Sequence, residues 1–172
     1  MIDTPIELRY ELEEHGWAVL RAAFGDRRFD FRVSYMSDAL PVLVEATVAL
    51  ASGATERRVG LIDEPGHHCL ALFRQGDRLR IVVAHLSDLF TTDNFNSDRQ
   101  PEQRPPEEEG EILAVVDCQL PDLVTAVKRM VAEINSRYAP ADFVRTRNSS
   151  VPPELAVRLA TCGTRALTDP PP

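Results

Sequence analysis

The chain has 172 residues, 44% of them hydrophobic, with 27 acidic and 19 basic side chains and a net charge of −8. Its length is enough for one domain with a core that needs neither disulfide nor metal. The negative balance argues against a nucleic-acid partner, which needs a basic face, and no run reaches the roughly 18 apolar residues of a membrane span.

Ile6, Leu8, Tyr10 and Leu12 alternate with charged residues, the pattern of a half-buried strand. Glu14-His15-Gly16 marks a turn, and Trp17–Phe24 reads as a second strand. A third strand is expected to place Phe29, Phe31, Val33 and Tyr35 inward and Asp30, Arg32 and Ser34 outward. The period then changes. Ser37 or Asp38 is placed to cap a helix over Ala39–Ser52, with Leu40, Leu43, Val44, Thr47, Leu50 and Ala51 on one stripe and Gly53 at its end.

Arg57–Leu86 reads as an antiparallel meander of three strands, turning at Glu64-Pro65-Gly66 and Gln75-Gly76-Asp77. His67–Arg74 is apolar on both faces, as an interior strand is. In the next strand Leu79, Ile81, Val83 and His85 share one face.

Ser87–Gly110 has little periodicity and three prolines. From Asp88 to Glu111 there are eight acids and two arginines, so this stretch holds −6 of the net −8. It reads as an acidic loop. Ile112–Cys118 is one more strand. Leu123, Val124, Val127, Met130, Val131, Ile134 and Tyr138 then form a continuous apolar stripe on a helix over Pro121–Arg137.

The expected architecture is therefore α+β: a mainly antiparallel sheet of about seven strands, in the order β-β-β-α-β-β-β-β-α, with two amphipathic helices on one face. Residues 1–138 form the domain, with the acidic loop at about 87–110. Residues 139–172 form a proline-rich tail with a short helix near Pro153–Ala160.

No Walker, G-x-S-x-G, H-E-x-x-H or dinucleotide glycine pattern occurs, and no cofactor is expected. Cys69, Cys118 and Cys162 are dispersed and odd in number, which suits reduced thiols in a cytoplasmic protein. The start of the chain has neither the basic residues nor the apolar run of a signal peptide.

Two sets of side chains are candidates for function. Asp88, Asp93, Asp98, Glu107, Glu108 and Glu109 would steer a basic protein partner. His67, His68 and His85, with Asp88, form the alternative, a small-ligand or metal-binding protein or enzyme site. On a strand His67 and His68 point to opposite faces, so the three histidines cannot all meet at one ion.

The succession SDAL (Ser37–Leu40), EPG (Glu64–Gly66) and GDRLRI (Gly76–Ile81) resembles a pattern of uncharacterised bacterial protein families of unknown function. The likeness spans about residues 28–135 and rests on caps and turns. It implies a small α+β fold and carries over no catalytic or binding residue. The small, acidic, sheet-rich composition also looks like that of immunity proteins of bacterial toxin systems. The first function expected is a non-catalytic protein-interaction module.

Overall fold

A computed structural model describes residues 4–63, 66–86 and 111–163. The fold is α+β, with seven strands: β1 (Ile6–Leu12), β2 (Trp17–Phe24), β3 (Arg27–Ser34), β4 (Glu56–Ile62), β5 (His67–Gln75), β6 (Arg78–Leu86) and β7 (Glu111–Gln119). Four α-helices accompany them: α1 (Ala39–Ala51), α2 (Leu120–Arg137), α3 (Pro140–Thr146) and α4 (Pro153–Thr161). Two 3₁₀ turns, Glu14–Gly16 and Tyr35–Ser37, flank the first sheet.

The strands divide into two antiparallel sheets, β1-β2-β3 and β4-β5-β6-β7. Each is a meander, its sequential strands pairing antiparallel with their neighbours; the tight turns between β2 and β3 and between β5 and β6 allow no other pairing. Within the second sheet Ile112 lies opposite Ala84 and Ala114 opposite Val83. Leu113 is left over as a bulge, and its carbonyl accepts a hydrogen bond from Arg27 Nη1 of β3 at 3.3 Å. That bond ties the first sheet to the edge of the second.

One buried cluster takes residues from both sheets and all four α-helices. The expected stripe of α2 is inside it: Leu123, Val124, Val127, Met130, Val131 and Ile134 are buried. At roughly 1.5–3 kcal/mol per side chain, these six are a main source of stability. α1 is buried nearly all round, because β4, α2 and α4 all pack on it. Thr47 keeps its hydroxyl satisfied by donating to Leu43 O at 2.9 Å.

The stretch after residue 138 also enters the core. Phe143 of α3 and Leu155 and Leu159 of α4 are buried members of the cluster. Lys128 of α2 donates to Ala160 O at 3.0 Å and Cys162 O at 2.6 Å. It thereby places a cation on the last carbonyls of α4, where the helix dipole favours one.

Three local expectations are corrected. Ser34, expected outward, is buried. The third strand stops at Ser34, so Tyr35 is not an inward strand residue; it sits in a 3₁₀ turn and is 52% exposed. Ser34 turns the chain by accepting from Met36 N and by offering its carbonyl to the Ser37 hydroxyl. Asp38 is the N-cap of α1, but it caps no backbone N–H with its side chain. Its φ of 43° is left-handed, and its carboxylate instead accepts from the Ser149 hydroxyl.

Candidate functional site

The meander brings two of the three candidate histidines together. His68 and His85 lie directly opposite each other on β5 and β6, on the face that carries Leu70, Leu72, Ile81 and Val83 into the core. Their ring centroids are 5.0 Å apart, edge to face. Phe31 of β3 meets His68 from the first sheet, at 5.2 Å. Burial pushes the His68 imidazole below its ordinary value, the neighbouring His85 adds to this, and Asp63 opposes it. A half-buried neutral imidazole at a sheet–sheet contact is what this geometry favours.

His67 does not join the pair. It is fully buried, lies opposite Leu86 and points to the other face of the sheet. Among the described residues no group of three or more His, Cys, Asp or Glu side chains is arranged to hold a metal ion. Asp88, Asp93, Asp98, Glu107, Glu108 and Glu109 lie outside the described residues.

A second locus was not anticipated. It is built at the end of the first sheet by the two 3₁₀ turns and by the segment around α3. Three non-glycine residues with left-handed backbone occur among the described residues: His15 (φ 61°), Asp38 (φ 43°) and Arg147 (φ 60°). All three belong to this end. Each such residue costs of order 1–3 kcal/mol and persists only where its surroundings hold it.

The ties that hold it are specific. Arg145 of α3 pairs with Glu14 and Asp142. Asn148 Nδ2 donates to Trp17 O at 3.0 Å, and Ser149 donates to Asp38. Arg32 places its guanidinium 4.3 Å above the Trp17 ring and pairs with Glu13 at 3.5 Å. Gly16, with φ +84°, leaves room for the Tyr35 ring; a Cβ there would come within 2.6 Å of Tyr35 Cδ1.

On this frame stand Tyr35 (52% exposed), Met36 (58%) and Val144 (80%). The charged residues around them largely pair with one another, so exposed apolar and aromatic surface is the unpaired feature. Tyr, Trp, Met and Arg are the types enriched in protein–protein contacts. The signal in the sequence was the cluster of turn-forming residues Ser34, Ser37 and Asp38 after a strand-like run. The aromatic alternation of Phe29, Phe31 and Tyr35 hid it.

No protein-family model matches this chain. No curated protein matches it either. Among solved structures the chain is similar to one from the "CdiA-CT/CdiI toxin and immunity complex from Enterobacter cloacae", with a TM-score of 0.46 and 9% identity, over 74% of this chain and 97% of that one.

Proposed function

We propose that this protein is a non-catalytic protein-interaction module whose contact surface is the end of the first sheet bearing Tyr35, Met36 and Val144. The observation that carries the reading is the frame beneath these side chains: three left-handed non-glycine residues held by side-chain bonds from α3 and the chain after it. A rigid platform under exposed Tyr and Met lowers the ordering cost of binding. The partner in this reading is a basic protein. The acidic run containing Asp88, Asp93, Asp98, Glu107, Glu108 and Glu109 supplies the long-range attraction, which raises the association rate and is screened by salt.

The test is capture by immobilised protein, with three baits. The wild type should retain a basic protein that the Tyr35→Ala/Met36→Ala variant loses. Deleting residues 91–109 should weaken capture at low salt and matter less at high salt. An identical set of captured proteins on all three baits would refute the reading.

A second reading, a metal or small-ligand site, is favoured by one observation: the register that places His68 opposite His85. Zinc or nickel titration of the purified chain tests it. Saturable binding lost in His85→Ala supports a two-histidine site, and no binding removes it.

A further inference from the structure

The chain has three methionines, Met1, Met36 and Met130, and the two that are described have opposite settings. Met130 of α2 is fully buried in the cluster that both sheets share. Met36 is 58% exposed and sits in the 3₁₀ turn Tyr35–Ser37. That turn is held at both sides: Met36 N donates to Ser34 Oγ at 3.4 Å, and the Ser37 hydroxyl donates to Ser34 O at 3.0 Å. A thioether therefore stands open to water on a fixed backbone, beside Tyr35 in the proposed contact surface.

The thiols are placed differently. Cys69 and Cys118 are buried, and burial pushes the Cys118 thiol up to about 12, which leaves almost no thiolate to react. Cys162 follows α4 and packs against the core cluster there. A thioether needs no deprotonation to react with a peroxide, so exposure decides which methionine is oxidised first.

We propose that Met36 is a modification site: a peroxide converts it to the sulfoxide, and this switches off binding at the Tyr35 surface. The proposal rests on the reading of that surface as a contact surface. In the step a sulfur lone pair attacks one peroxide oxygen; an S–O bond forms and the O–O bond breaks. Sulfur loses two electrons, and the peroxide is reduced to water once the proton on the transferred oxygen has passed to the leaving hydroxide. The thioether presents a soft, adaptable apolar contact. The sulfoxide presents a polar S=O group, which must be stripped of water to enter an interface. Methionine sulfoxide reductases reverse the step at the expense of a dithiol, which makes the change a switch.

The test first treats the full chain with hydrogen peroxide and maps the added oxygen by peptide mass spectrometry. Met36 should be oxidised at least about tenfold faster than Met130, which reacts only when the core opens. The binding probe is the basic protein that the wild type retains and Tyr35→Ala/Met36→Ala loses, purified once identified. The oxidised wild type should bind it about tenfold more weakly, as expected when one apolar contact is lost. Sulfoxide reductase with a dithiol should restore binding. The dithiol alone, which reduces disulfides and sulfenic acids, should not. In Met36→Leu, peroxide should leave the affinity at that variant's own starting value. Equal oxidation of Met36 and Met130, undiminished binding by the Met36 sulfoxide, or equal peroxide sensitivity in Met36→Leu would overturn the proposal and leave the contact surface standing. A wild-type chain that retains no basic protein refutes the contact surface, and the proposal with it.

Discussion

Gly16→Ala probes the frame of the contact surface directly. The substitution adds one methyl group at φ +84°, where that group would lie 2.6 Å from Tyr35 Cδ1. Two costs follow. A left-handed backbone costs an alanine roughly 1–2 kcal/mol. The contact is also far inside the 3.5–4.0 Å separation of packed carbons, so the Tyr35 ring must swing off the turn. The ring is about half covered, and losing that cover is worth about 1–2 kcal/mol at 25 cal/mol per Å². The sum is roughly 2–4 kcal/mol, or about 4–16 °C in melting temperature for a chain of this size. Gly76→Ala supplies the control: φ is +64° and nothing lies within 4 Å, so only the backbone cost applies. Urea and thermal unfolding followed by circular dichroism measure both. In a Tyr35→Ala background the Gly16→Ala cost should shrink to that of Gly76→Ala, since the clash is gone. Equal costs for the two glycines in the wild-type background would refute the reasoning. So would a Gly16→Ala cost that Tyr35→Ala does not change.

Three further outcomes are expected. His68 has a lowered folded-state pKa, so its neutral form is favoured by folding. Its stability contribution is complete above the unfolded value near 6.5 and is lost as pH falls from there through the folded value. His68→Gln should therefore flatten the loss of urea midpoint on acidification, and an unchanged slope would count against the pair. In thiol labelling of the native chain, Cys162 should react first. Cys69 and Cys118 are buried, and burial pushes the Cys118 thiol up to about 12, which leaves almost no thiolate at neutral pH. Rapid reaction of all three would contradict this packing. Met130→Ala, at a fully buried position facing both sheets' cluster, should cost about 2–5 kcal/mol; a loss under about 1 kcal/mol would mean that α2 packs loosely.

Strand and helix identity were legible because they depend on local period. The stripe from Leu123 to Ile134 and the alternation of Ile6, Leu8 and Tyr10 allow only one way to bury apolar area. The meander registers were legible too, since short turns leave antiparallel neighbours no other pairing; His68 opposite His85 follows from the Gln75–Arg78 turn alone. The sequence by itself also determined that His67 and His68 must part, because side chains on a strand alternate.

Tertiary structure decided the rest, and the reason in each case is a contact between residues far apart in the chain. The division into two sheets depends on how β3 meets β4 and how Arg27 reaches Leu113, which no local pattern encodes. The burial of Leu155 and Leu159 depends on the open side of α1, visible only once α1 is packed, and Phe143 meets the Tyr138 ring at the end of α2. The exposed Tyr35 depends on Ser34 and on Gly16, a residue 19 positions earlier. The β6–β7 register sets Arg78 beside Gln119 and Arg80 beside Asp117 across some 40 residues of chain. Periodicity reports which face a side chain takes; only the packed sheet decides what shares that face.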